Sequence, residues 1–226
     1  MATVYYMELI TKMTDASVDQ EHPQIILKSI PGTPDRTAYI IGKSEENPLP
    51  QLLQACKELE SMGADFITMP CVTAQFFYEK LAESVEVPLL SLCGNVAEEI
   101  AGKQIKKVGI LATSGTIESK VLENTFGDNG IETVIPDAFH QEMVMDIIYR
   151  QIKKGREIQW EMFDETVEYL YSNGAEKIIL GCTELSLLKK EKNMDGRIVD
   201  VLEVLAQKAV LASGAGLKKE YQEIIR

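Results

Sequence analysis

The feature that most constrains this chain is an internal echo. A helix-compatible run ending in Ser61-Met62-Gly63-Ala64-Asp65 leads into FITMPCVT, and a second ending in Ser172-Asn173-Gly174-Ala175-Glu176 leads into KIILGCTE. In each, a Gly suited to a left-handed helix cap precedes a short apolar run that delivers a Cys at its carboxyl end. Cys71 and Cys182 therefore stand roughly half a chain apart, the spacing that duplication into two similar lobes produces.

The rest of the chain alternates in the same manner. Strands are expected at Gln24 to Ser29, Asp65 to Met69, Pro88 to Ser91, Lys107 to Ala112, Glu132 to Ile135, Lys177 to Leu180 and Arg197 to Asp200. Helices are expected at Ala2 to Met13, Leu49 to Met62, Ala74 to Ser84, Thr116 to Asn129, Gln141 to Lys154, Arg156 to Asn173 and Val201 to Ser213. This pattern predicts an α/β fold of two similar lobes, each a parallel sheet flanked by helices, with the active site between them. Residues 1–103 are expected to form the N-terminal lobe with the first Cys. Residues 104–226 form the C-terminal lobe with the second, the last helix being free to return to the first lobe.

Charge and cysteine usage exclude several classes. The net charge of −12 lacks the clustered Lys and Arg that a phosphate backbone demands, so no nucleic-acid partner is expected. No run approaches the roughly 18 apolar residues of a membrane span, and no leader pattern opens the chain, so the expected location is cytoplasmic. The four cysteines, Cys56, Cys71, Cys93 and Cys182, are widely spaced and lack CxxC pairs, which favours reduced thiols over a disulfide or zinc framework. Cys56 and Cys93 read as small buried hydrophobes. His22 reads as a structural hydrogen-bonding residue in a Pro-stiffened turn, and His140 as a possible helix cap. Neither has a second ligand at metal spacing, so no metal site is expected.

Strand ends in open α/β sheets are where ligands bind. A thiol there meets backbone N–H groups and the positive end of a helix dipole, which lower its pKa from about 8.5 toward neutrality. Thr73 and Thr183 follow the two thiols and offer hydroxyls and amides to a carboxylate. Two opposed thiols suit inversion at a carbon: one removes a proton from one face while the other delivers a proton to the opposite face. No glycine-rich phosphate cup with a strand-end Lys argues for pyridoxal phosphate, so no cofactor is expected.

The strings MPCVTAQFFYEKL and LGCTELSLL resemble the signature segments of the aspartate/glutamate racemase superfamily, in which Cys-Asn-Thr-Ala-His and Gly-Cys-Thr-Glu supply a catalytic pair. DQEHPQIIL, PDRTAYIIG, the Asn47-Pro48-Leu49-Pro50-Gln51-Leu52 turn and GILATSGTI extend the resemblance, to the aspartate racemase branch, over nearly the whole chain. The resemblance implies a cofactor-independent isomerase, most simply an aspartate racemase, in which Cys71 and Cys182 are the acid/base pair. It implies that Thr73 and Thr183 hold the α-carboxylate, with Thr113 and Thr116 nearby, and that Arg36 binds the side-chain carboxylate of an acidic amino acid. Glu184 either orients the second thiol or favours the following helix N-terminus. A homodimer is the expected assembly.

Some positions depart from the family pattern. Val72 stands for its Asn and Gln75 for its His, and acids at Asp164, Glu165 and Glu168 occupy a helix where aspartate racemases can carry a basic substrate-facing residue. The family's first strand and Gly-Gly-Met-Gly-Pro loop have no counterpart ahead of Ala2, so Met1 is read as an internal methionine and the first lobe is expected to lack a strand. The alternatives are glutamate or another amino acid as substrate, a maleate isomerase or decarboxylase in which a Cys attacks covalently, or a catalytically silent binding protein.

Overall fold

The computed structural model describes residues 2–192, 194 and 196–225; the reading of Met1 lies outside them. In chain order the elements are α1 (Ala2–Met13), α2 (Arg36–Ile40), α3 (Leu49–Ser61), β1 (Ile67–Thr68), α4 (Tyr78–Ala82), β2 (Leu89–Leu90), α5 (Leu92–Gly102), β3 (Lys107–Leu111), α6 (Ser114–Glu118), α7 (Val121–Asp128), β4 (Glu132–Val134), α8 (Ala138–Asp146), α9 (Trp160–Ser172), β5 (Lys177–Leu180), α10 (Leu188–Glu191), β6 (Ile198–Asp200) and α11 (Val201–Ala212).

The echo is structural. Gly63 and Gly174 follow α3 and α9 with φ of +86° and +89°, where a side chain would be strained. Ala64 N donates to Leu59 O at 3.2 Å and Ala175 N to Leu170 O at 3.1 Å, so both helices close with the same Schellman bond before their strands.

The chain is α/β, with parallel sheets flanked by helices. One sheet has the order β4-β3-β5-β6 and the other pairs β1 with β2. All pairings within the two sheets are parallel, which explains why β3 and β5 read as nearly unbroken apolar runs covered on both faces. Each fully buried Ile or Leu in these strands contributes about 1.5–3 kcal/mol. Leu170, Ile178, Leu180, Ile148 and Phe163 pack beneath the larger sheet, while Val108, Ile110, Val96, Ile100, Val201 and Leu205 pack on its other side. The last helix, α11, lies against α1 and α5. Among the described residues no helix is long and apolar enough to cross a membrane.

Several expectations change on the backbone. Residues 24–29 pair with no strand among the described residues; they form an extended strap in which Ile25, Ile26 and Leu27 stay partly exposed. β-prone side chains make a strand only where a neighbour supplies the ladder. The strap, α1, α3 and the unpaired edge of β1 enclose a cavity of about 800 Å3 that reaches Arg36 and Cys71 at one end. The run 116–129 is broken into α6 and α7 at Lys120, whose φ is +54°. After α8 the chain widens into a π-helical turn, Ile147–Gln151, then tightens into a 3-10 turn, Ile152–Lys154, where one continuous helix was expected. His140 does not cap α8: Asp137 does, its Oδ1 accepting from His140 N at 3.0 Å. His22 Nδ1, expected to make a structural hydrogen bond, is buried without a partner among the described residues.

Candidate active site

Both echoed strands end in a Cys. Cys71 follows β1 and is half-buried; Cys182 follows β5 and is buried. The turn after each is a 3-10 turn, Thr73–Phe77 and Leu185–Leu187, rather than the first turn of a long helix. The expected helix-dipole activation therefore fails at Cys182. Burial raises its pKa well above that of a free thiol, and the neighbouring Glu184 carboxylate raises it further. The Cys182 thiol donates to Glu184 Oε2 at 3.0 Å, so of the two roles open to Glu184 the geometry displays the contact with the thiol.

Arg36 approaches Cys71 from the start of α2. Its Nη1 donates to the carbonyls of Thr33 and Pro34 at 3.3 and 3.2 Å, which holds the guanidinium in place. Desolvation works against its charge, but Cys71, Asp35 and Glu184 together outweigh it and the Arg36 pKa rises. The guanidinium thus lies beside Cys71 and feels the charge of Glu184.

Buried threonine hydroxyls join the turns that follow β1 and β3. Thr73 Oγ1 lies 3.1 Å from Thr113 Oγ1 and 2.9 Å from Thr116 Oγ1, and Thr113 and Thr116 are 3.2 Å apart. Thr37 of α2 adds a hydrogen bond to Thr113 Oγ1 at 3.1 Å. Thr113 also caps α6, accepting from Thr116 N. Thr183 is buried in the Cys182 turn. Such hydroxyls can rotate to donate to a carboxylate without moving the backbone.

Three residues of this site were not singled out from the sequence: Thr37, Tyr149 and Lys153. The Lys153 ammonium lies 3.9 Å above the Tyr149 ring. Desolvation pulls its pKa down, but Glu184, Tyr149, Cys182 and Asp35 together raise it. Lys153 thus stands in the turn before α9, while on α9 itself Asp164, Glu165 and Glu168 point to solvent and Asp164 pairs with Lys192 at 3.1 Å. Lys153 is itself exposed, and a Lys-Lys-Gly helix end carried no signal that singled it out.

The two departures near Cys71 have structural roles. Val72 is buried in the core beside Leu92 and Val96. Gln75 Oε1 accepts from Leu92 N at 3.1 Å, tying the Cys71 turn to α5. Cys93 is buried nearby and its pKa is pushed up to about 12, chiefly by burial with a contribution from Cys71; burial also raises that of Cys56.

Residues 1–209 match the family described as Asp/Glu/Hydantoin racemase. A broad specificity amino-acid racemase, RacX, of Bacillus subtilis is 28% identical over 204 residues, covering 88% of this chain and 86% of that protein. The structure of Picrophilus torridus aspartate racemase superposes with a TM-score of 0.82 at 31% identity, over 98% of this chain and 93% of the other. An aspartate racemase homologue from Pyrococcus horikoshii gives a TM-score of 0.75 at 26% identity, over 94% of each chain. With the echoed thiols, the buried threonines and this match over most of its length, the chain belongs to the Asp/Glu/Hydantoin racemase family.

Proposed function

We propose that the protein racemises an acidic amino acid, aspartate before glutamate, by proton transfer between Cys71 and Cys182. The observation that carries this reading is the contrast between the two thiols: Cys182 is buried and shares its proton with Glu184, whereas Cys71 sits beside the fixed charge of Arg36. For one enantiomer the Cys71 thiolate takes the α-proton, and the C–H electron pair stays on Cα. The Cys182 S–H then gives its proton to the opposite face and is left as the thiolate, so charge is conserved and the roles reverse for the other enantiomer.

An amino acid's α-hydrogen is weakly acidic, so the developing carbanion needs preorganised donors and a dry site. The threonines at 73, 113, 116 and 183 are placed to receive the α-carboxylate. Arg36 and Lys153 supply two positive charges, which suits a substrate with a second carboxylate. Acid, base and charge stabilisation all come from the chain's own side chains, and the reaction so written needs no cofactor. The Picrophilus and Pyrococcus relatives, named for aspartate, support that choice of substrate, while RacX is named for broad specificity.

The test is incubation of each enantiomer of aspartate, glutamate and alanine in deuterium oxide. Deuterium at Cα together with loss of optical activity, fastest for aspartate, is expected. Turnover without Cα deuterium rules out two-base transfer, and faster exchange of alanine rules out an acidic substrate.

A further inference from the structure

The π-helical turn at Ile147–Gln151 is built rather than tolerated. Ile152 N reaches back to Ile147 O, the five-residue step of a π-helix. Gln151 is buried and locks the turn from both sides: its Nε2 donates to Asp146 Oδ2 at 2.8 Å and its Oε1 accepts from Gln159 N at 2.8 Å. The chain then tightens through Ile152–Lys154 and stops at Gly155, whose φ is +60°. Across this change of winding Tyr149 and Lys153, four residues apart, face the same way, the ammonium 3.9 Å above the ring.

Tyr149 has a second attachment. Its hydroxyl donates to Asp35 Oδ2 at 3.4 Å, and the other oxygen of Asp35 caps α2 by accepting from Ala38 N at 2.8 Å. Arg36 is the next residue. One side chain therefore touches the cation on the Cys182 side of the site and the turn that carries the cation on the Cys71 side.

We infer that Tyr149 is a positioning residue that holds the Lys153 ammonium over Glu184 and Cys182 and, through Asp35, fixes its spacing from Arg36. The inference rests on the racemase reading for its consequence, since two cations held at fixed places set where the second carboxylate of the substrate can sit. The charged and titratable groups around Lys153 are Glu184, Tyr149, Cys182 and Asp35. Without the ring, a long flexible lysine among three acceptors has no single position; the attraction of a cation to a ring face biases it several-fold.

The test combines a spectroscopic and a kinetic reading. Reductive 13C-methylation of the lysines keeps their charge, and the Lys153 signal, assigned by its loss in Lys153→Arg, is expected upfield of the other lysines through the ring current of Tyr149. Tyr149→Phe should keep that shift and Tyr149→Leu should abolish it. In turnover, Tyr149→Phe should raise KM for aspartate about three- to tenfold, the worth of one hydrogen bond, with kcat within about twofold. Tyr149→Leu should lower kcat as well and blunt the preference for aspartate over alanine. If Tyr149→Leu fails to fold, the wild-type shift and Tyr149→Phe still decide. An unshifted Lys153 signal in the wild type overturns the inference, as does Tyr149→Phe with an unchanged KM. A wild type that shows the ring-current shift but does not racemise overturns the proposed reaction and leaves the positioning of Lys153 standing.

Discussion

The thiol of Cys182 donates to the carboxylate of Glu184 at 3.0 Å, two residues along the same turn. Burial raises the thiol's pKa first and the Glu184 charge second, so removing the charge should lower it while burial keeps it above that of a free thiol. Glu184→Gln should therefore move to lower pH both the rising limb of kcat/KM for the enantiomer that Cys182 deprotonates and the falling limb for the one it protonates. Profiles measured in both directions check this. Limbs that stay in place would show that Glu184 does not set the proton affinity of Cys182.

Inversion needs an acceptor on one face and a donor on the other, so each of Cys71→Ser and Cys182→Ser should abolish racemisation. The surviving thiol in each variant should still exchange the α-hydrogen of one enantiomer slowly, and of opposite enantiomers in the two variants. Polarimetry paired with proton NMR in deuterium oxide reads both effects; full racemisation in either variant would remove the two-thiol mechanism.

Arg36→Ala tests the distal carboxylate. A charge-assisted hydrogen bond contributes about 1.5–3 kcal/mol, so kcat/KM for aspartate should fall by roughly tenfold or more while alanine changes little. Because Arg36 also lies beside Cys71, some loss common to both substrates is expected. It is the ratio of the two that carries the assignment, and an equal fall for aspartate and alanine would count against it.

What the sequence revealed of this site followed from local chemistry. The echoed Gly, apolar run and Cys fixed both strand ends, because cap conformation and strand burial are decided within about ten residues. The buried threonines next to the thiols were legible for the same reason. Tyr149 and Lys153 were not: four residues apart, they share a face on any helix, and it is the contact of Tyr149 with Asp35, distant in the chain, that joins them to the turn carrying Arg36, which no local spacing encodes. The strand expected at 24–29 failed through pairing, which propensity does not encode: Ile25, Ile26 and Leu27 have the side chains of a strand and no ladder to join. The acids at Asp164, Glu165 and Glu168 of α9 face solvent, and the Lys153 cation lies in the turn before that helix.

Gly115 offers a test of how tightly the parts of the site are joined. A Cβ there would fall 2.6 Å from Thr37 Cα and 2.9 Å from Thr37 Oγ1, and the first of these is backbone, which has no rotamer to escape into. Gly115→Ala must therefore push α2 away from α6, stretching the Thr37–Thr113 hydrogen bond and shifting Arg36, the first residue of α2. Overpacking of this kind costs about 1–3 kcal/mol, which in a chain of this size lowers Tm by several degrees. Gly102→Ala is the matched control, because a Cβ at Gly102 meets nothing within 4 Å. Gly115→Ala should lower Tm relative to Gly102→Ala and, by displacing Arg36, raise KM for aspartate more than for alanine. Equal melting temperatures for the two variants would show that α2 yields freely at this contact, and a lowered Tm with wild-type kinetics would show that the position of α2 does not govern the substrate's side-chain site.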